Sequence, residues 1–239
     1  KMKDMNHSLI KRGHKVAIFD IDGTIFRSSL LIELTDALIQ EGIFPLKAQQ
    51  EYDRAFQAWL DRKGSYEDYI RDVIVVFSKY LKGVPYAEFL RVADRTALIY
   101  QNRLYRFTRD LVRDLKKKNY YLLAISHSPK TILDGFCKEL GFDKVYGHIY
   151  ESDTQEIMTG KILYDELMSD KGKVLERAIE KENLTLAGSV GVGDSEGDIA
   201  FLKMVDRPIC FNPNKKLYAY AKRAGWRIIV ERKDVVYEL

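Results

Sequence analysis

Five short apolar runs, each closed by a polar or glycine-bearing cluster, restrict what this chain can fold into. Val16 to Phe19 ends at Asp20. Tyr120 to Ile125 ends at Ser126, and Ser189 to Val192 ends at Gly193-Asp194. Pro208 to Phe211 and Ile228 to Val230 follow. Continuous apolar runs of this length suit strands buried on both faces, as in a parallel sheet covered by helices. Helical patterns lie between them. Thr131 to Leu140 runs into Gly141, a C′ residue, and Val174, Leu175, Ala178 and Ile179 share one helix face. Ser128 before Pro129 reads as an N-cap followed by N1. Val145 to Tyr150 and Thr159 to Tyr164, separated by Ser152-Asp153-Thr154-Gln155, read as a hairpin with a long turn. The alternation predicts an α/β fold, a doubly wound and mainly parallel sheet.

One stretch, 27–100, breaks that alternation with helical signals only. Tyr52, Ala55, Phe56 and Trp59 recur at one-turn spacing, Ser65 with Asp68 resembles a capping box, and Pro85 suits N1 of a helix through Tyr100. These residues are expected to form an inserted all-helical cap domain, its aromatic stripe serving as its own core. The catalytic core is then 1–26 with 101–239, hinged near Phe26-Arg27 and Tyr100 to Arg103.

Composition supports an ordinary globular chain. Of 239 residues 46% are hydrophobic and 31% charged, which argues against disorder. Cys137 and Cys210 are too few for a disulfide framework and read as buried thiols of a reducing, cytoplasmic setting. No apolar run is long enough to span a bilayer, and Lys1 to Lys15 lacks the apolar centre of a signal peptide. The net charge of +4 is spread along the chain; the clusters Lys11 to Lys15 and Lys116 to Lys118 read as solvated edges. Neither a nucleic-acid nor a membrane partner is therefore expected, and oligomeric state is not legible.

Ligands bind at the carboxyl ends of strands in an open α/β sheet. Three such ends carry chemistry here. Asp20-Ile21-Asp22-Gly23-Thr24 places two carboxylates straight after a buried strand, where ions need a partner, and Mg²⁺ is the hard cation suited to oxygen ligands. Ser126-His127-Ser128 offers a hydroxyl and successive N–H groups for phosphate oxygens. Gly193-Asp194-Ser195-Glu196-Gly197-Asp198 adds two more carboxylates. Lys171 opens the helix holding Val174 and Leu175, where a cation opposes the helix dipole. Nucleophile, metal ligands, oxygen cradle and cation together are the parts of a phosphoryl-transfer site.

These residues resemble the haloacid dehalogenase-like phosphohydrolase superfamily, within it the phosphoserine phosphatase-like branch. Asp20, Asp22 and Thr24 match its first motif, Ser126 its second, Lys171 its third (with Lys173 a rival), and Gly193, Asp194 and Asp198 its fourth. The resemblance implies a Mg²⁺-dependent phosphatase acting on a small phosphorylated metabolite through an aspartyl phosphate. Asp20 would be the nucleophile and Asp22 the general acid and base. The carboxylates of Asp20 and Asp194 and the carbonyl of Asp22 would hold the metal. Ser126 and the N–H of His127 would bind phosphate oxygens, with Lys171 offsetting charge. Asp198, beside Ser195, would hold a water or orient Lys171. Asp22 favours phosphate esters over carbon–halogen bonds, whose cleavage has no alcohol to protonate. Convergence of the Asp20, Asp22 and Asp194 carboxylates is expected, and Arg27 is a substrate-contact candidate at the hinge.

Phosphoserine fits poorly. The Glu that the branch matches to the ammonium is replaced by Ser29, and the Arg matched to the carboxylate by Val73; Glu33 and Arg71 are the neighbours able to substitute. Phosphoserine hydrolysis and phosphotransfer to another small acceptor both stay open. A response-regulator-like phosphoacceptor domain is disfavoured: such domains are about half this length and carry the acceptor on a middle strand.

Overall fold

The structure, a computed structural model, describes residues 13–239; the polar segment before Gly13 lies outside the described residues. Eight strands form one sheet in the order β4-β3-β2-β1-β5-β6-β7-β8. They are β1 (His14–Phe19), β2 (Tyr121–Pro129), β3 (Lys144–Ser152), β4 (Met158–Leu163), β5 (Leu184–Gly193), β6 (Arg207–Phe211), β7 (Arg227–Arg232) and β8 (Val235–Glu238). The central six run parallel, and β4 and β8 pair antiparallel at the two edges. The expected mainly parallel α/β sheet is present, and the hairpin is β3–β4. The edge strand β8 is an addition to the reading. It follows the turn at Lys233, whose φ is +55°, and its signal is the short β-branched pair Val235-Val236.

The central strands are apolar because both faces are covered. Val16, Ile18, Leu123 and Ile125 meet Val174, Leu175 and Phe201 on one side. Ala17, Phe19, Leu122 and Ala124 meet Val112, Leu115, Ile132 and Phe136 on the other. The covering helices are α5 (Arg106–Lys117), α6 (Lys130–Leu140), α7 (Asp165–Met168), α8 (Lys171–Glu182), α9 (Ile199–Leu202) and α10 (Lys215–Ala224). Gly141 closes α6 in the left-handed region, as its C′ position requires.

Four helices, α1 (Leu30–Gln40), α2 (Lys47–Leu60), α3 (Tyr66–Leu81) and α4 (Tyr86–Tyr100), occupy the stretch after β1. Ser65 caps α3 by accepting the Asp68 N–H at 3.1 Å. Pro85 sits at the N-cap of α4 rather than at N1. The aromatic stripe of α2 packs on α3, with Tyr69 meeting Tyr52, Phe56 and Trp59 at ring separations of 6.0, 5.1 and 5.9 Å. The expectation of a self-contained helical core needs correction, because one apolar core runs through the insertion and the sheet. Phe77 of α3 meets Tyr150 of β3 at 5.1 Å, and Tyr100 of α4 meets Phe26 at 6.1 Å. The chain leaves and re-enters the sheet side by side: the Arg27 N–H donates to Arg103 O, and the Tyr105 N–H to Ile25 O, both at 2.9 Å.

This shared core predicts that insertion and sheet unfold together. Phe77→Ala removes the ring that joins Phe44, Phe89 and Tyr150. It is expected to cost ~3–5 kcal/mol in urea unfolding, with helical and tertiary signals still moving in one transition.

Candidate active site

The carboxyl ends of β1, β2 and β5 converge with the first turn of α8. Asp20 leaves β1 with its N–H bonded to Val192 O of β5 at 2.9 Å. The following turn needs Gly23, whose φ is +81° and at which a Cβ would lie 2.3 Å from Asp194 Oδ2. Lys171 is the first residue of α8, capped by Asp170, and is 4% exposed. Its ammonium donates to Asp20 Oδ1 at 2.7 Å and to Asp198 Oδ1 at 2.6 Å. Lys173 points to solvent, which decides between the two lysines. The other Asp198 oxygen accepts the N–H groups of Asp194 and Ser195 at 2.9 and 3.0 Å. Asp198 therefore orients Lys171 and ties down the β5 loop.

Carboxylate oxygens of Asp20, Asp194 and Asp198 lie within 4.8 Å of one another. Asp20 Oδ2 is buried without a hydrogen-bond partner among the described residues. Burial pushes the Asp20 carboxyl up to about 7 against the pull of Lys171. Burial, then Asp20 and Asp198, raise Asp194 well above the carboxylate range. Burial alone would lower the Lys171 ammonium, but Asp198 and Asp20 outweigh it and hold the proton on. Fully ionised, the acidic cluster would carry more negative charge than one lysine neutralises, which adds to burial in pushing Asp20 and Asp194 up.

Asp22 differs from expectation. Its carboxylate does not join that cluster. Oδ1 accepts the Leu30 N–H at 2.6 Å, and Oδ2 accepts the hydroxyls of Ser126 and Ser128 at 2.5 and 2.8 Å. The converging carboxylates are Asp20, Asp194 and Asp198, because three donors at the start of α1 and the end of β2 hold Asp22 aside. Burial raises its pKa while those hydrogen bonds oppose the rise. Ser126 is fully buried, and its hydroxyl also accepts the Ser128 N–H at 2.9 Å, so it carries no free hydroxyl for a phosphate. Ser128 is no helix cap: α6 begins at Lys130, and the Ser128 hydroxyl serves Asp22.

A cavity of about 950 Å³ opens over this centre. Asp20, Asp22, Asp194 and Lys171 line its floor, and His127, Ser128 and Ser195 also border it. The His127 ring Nε2 lies 3.0 Å from Met168 O and stacks on His148 at 5.4 Å; burial lowers its pKa to about 4. Residues of α2, α3 and the loop between them form the roof, with Trp59, Arg62, Tyr66, Glu67 and Arg71 among them. Glu67 Oε1 accepts Asn214 Nδ2 at 2.8 Å, joining roof to sheet. Arg27 is a correction: it is exposed, its guanidinium lies over the Tyr105 ring at 5.6 Å, and it is not among the cavity residues.

The chain matches the haloacid dehalogenase-like hydrolase family over residues 17–203. It belongs to that family. It is 25% identical over 214 residues to the phosphoserine phosphatase of Archaeoglobus fulgidus, covering 88% of this chain and 56% of that one. The chain thus spans little over half the length of that relative. A protein of unknown function from Bordetella pertussis superposes with a TM-score of 0.70 at 17% identity, covering 90% of this chain and 98% of that one. A phospho-aspartyl intermediate analogue of phosphoserine phosphatase superposes at 0.60 and 20% identity, covering 93% and 95%. These likenesses agree with the expected α/β hydrolase architecture.

The sequence reading named Arg71 of the roof but missed Trp59, Arg62, Tyr66 and Glu67 as cavity residues, and it missed Asn214. Asn214 had a usable signal: Asn212-Pro213-Asn214 is the polar cluster at the end of β6, a fourth strand end obeying the same rule as the first three. The Asp194 shift predicts a pH effect. A carboxyl raised in the folded state gives stability that is complete below about pH 4 and lost as pH rises through the folded value. In chelator at pH 8, Asp194→Asn is therefore expected to melt above wild type, by ~2–4 °C per kcal/mol relieved, with the gap narrowing at pH 5.

Proposed function

We propose that this hydrolase is a Mg²⁺-dependent phosphatase that cleaves a small phosphate monoester through an aspartyl phosphate on Asp20. The observation that carries the reading is the buried Asp20–Lys171–Asp198 bridge beside Asp194, with one Asp20 oxygen unpartnered. A hard divalent cation suits this centre, since every donor is a carboxylate oxygen and Gly23 leaves room for Asp194. Asp20 and Asp194, with the Asp22 carbonyl, would hold Mg²⁺, which supplies charge neutralisation for the phosphoryl group.

In the first step the Asp20 carboxylate attacks phosphorus, and the P–O bond to the alcohol breaks. Asp22 gives the departing oxygen its proton; burial, which raises its pKa, favours the protonated form. In the second step Asp22 takes a proton from water, whose oxygen attacks phosphorus. Inorganic phosphate leaves and the Asp20 carboxylate is restored. Lys171 holds Asp20 in place and offsets charge on the transferring group, and Asp198 fixes Lys171. Ser126 and Ser128 orient Asp22, and backbone N–H groups at the end of β2, His127 among them, face the phosphoryl oxygens.

Residues 27–100 act as a cap. Its α2–α3 end excludes water from the cavity and selects the alcohol. Its α4 end is packed on α6 and moves little. In a panel of phosphate monoesters with Mg²⁺, Asp20→Asn is expected to lose turnover by about three orders of magnitude or more while its fold is unchanged. Mg²⁺ is expected to raise the melting temperature of wild type but not of Asp194→Asn. Full turnover after exhaustive chelation, or in Asp20→Asn, overturns the reading.

A further inference from the structure

The walls of the cavity specify the alcohol, and this inference rests on the phosphatase reading above. Tyr66, Ile70 and Ile74 succeed one another at four-residue spacing along α3, and all three face the cavity. From Tyr66 to Ile74 this stripe is about 12 Å long at 1.5 Å per residue. Trp59 of α2 extends the wall, its ring 5.3 Å from that of Tyr66 and tilted by 59°. Leu31 of α1 also lines it. An apolar, aromatic-lined slot of this length suits an extended body that stacks and excludes water. It leaves a three-carbon amino acid in contact with little of it.

The charges on the roof and rim have one dominant sign. Arg62, Arg71 and Lys215 border the cavity there, against a single carboxylate, Glu67. Glu67 is engaged by Asn214. Among the described residues Arg62 and Lys215 have no carboxylate within ion-pair distance. Arg71 pairs with Asp68 at 3.1 Å, but both side chains are more than half exposed, so solvent screens the pair. Arg62 stands one turn past Trp59, its N–H donating to Trp59 O at 3.0 Å, and so lies next to the aromatic wall. Among the described residues, the positions matched to the ammonium of phosphoserine offer the cavity no carboxylate. Glu33 is bound by Arg103 at 2.6 Å outside the cavity, and Ser29 brings only a hydroxyl. Val73, at the expected arginine position, is fully buried in the core of α3.

We propose that the substrate is a phosphate monoester whose alcohol carries a planar apolar body ending in a second anionic group. The body lies along the wall that Trp59 and the Tyr66–Ile70–Ile74 stripe form together. The anion meets Arg62 and Arg71, with bidentate geometry open to a carboxylate or phosphate. Length and charge then discriminate together: a short zwitterion reaches neither the aromatic wall nor the arginines.

The test compares three esters of primary alcohols, so that leaving-group basicity is similar: phosphoserine, 2-(2-naphthyl)ethyl phosphate and 2-(6-carboxy-2-naphthyl)ethyl phosphate. With wild-type protein and Mg²⁺, kcat/KM is expected to be highest for the carboxylated ring ester, at least tenfold above phosphoserine. The double variant R62Q/R71Q is expected to shrink the ratio between the carboxylated and uncharged ring esters by fivefold or more. Trp59→Leu is expected to lower the ring-ester advantage over phosphoserine. Phosphoserine equal to or better than both ring esters in wild type overturns the proposal. A carboxylate preference unchanged in folded R62Q/R71Q overturns the role of the arginines. If no ester is hydrolysed, the phosphatase reading itself fails; hydrolysis without ring or carboxylate preference leaves that reading standing and removes only this one.

Discussion

A buried lysine bridging two aspartates organises the whole centre. Removing ions from water is costly, and the attraction between them repays it only with good geometry and further hydrogen bonds. Those conditions are met around Lys171: bonds of 2.7 and 2.6 Å to Asp20 and Asp198, and two N–H groups on the far Asp198 oxygen. The bridge joins the ends of β1 and β5 to the start of α8, so three elements distant in sequence are fixed against each other. Asp194 has no such compensation. With Asp20, Asp194 and Asp198 all ionised against one ammonium, the centre would carry two uncompensated negative charges. A phosphoryl dianion cannot approach such a floor until a cation reduces them. Relief of that repulsion is what a divalent cation would supply under the proposed function.

The same logic explains which parts of the site were legible in the sequence. Strand ends announce themselves because an apolar run must stop where polar side chains begin, and Asp20, Ser126 and Asp194 each stand just past such a stop. Lys171 was legible because a lysine at the first position of a helix opposes the dipole. Side-chain direction was not legible. Asp20 and Asp22 sit two residues apart, yet one faces the lysine and the other the hydroxyls of Ser126 and Ser128. Donors supplied by Leu30 and β2 decide between those orientations, and they lie 8 and 104 residues further along the chain. Asn214 is different, since its strand end carried the signal.

The insertion was read as helical from its periodicity, but its faces were assigned to a closed local core. Its apolar surface is larger than four short helices can bury among themselves. The surplus is covered by α6 and β3, through contacts such as the close approach of Ala97 to Gly135 and of Phe77 to Tyr150. Local patterning gives the face of a helix that seeks burial; it does not give the partner. The consequence is functional, because the end held by α6 is anchored while α2 and α3 lie over the cavity.

One helix, α3, then serves two surfaces at once. Tyr69, Val73, Val76 and Phe77 are buried in the common core, while Tyr66, Ile70 and Ile74 face the cavity. A helix has room for both, since residues four apart lie on one face and the adjoining face is displaced by about 100°. Val73 is committed to packing, so an arginine there would bury a guanidinium in the core with no carboxylate beside it. Arg71, on the exposed side of the same turn, keeps its charge in water at the cavity edge. The charge that would select the proposed anionic substrate is therefore displaced outward, away from Asp20. That displacement accompanies the length of the apolar slot: packing of α3 against the sheet sets how far from Asp20 the second anion of the proposed substrate would be received.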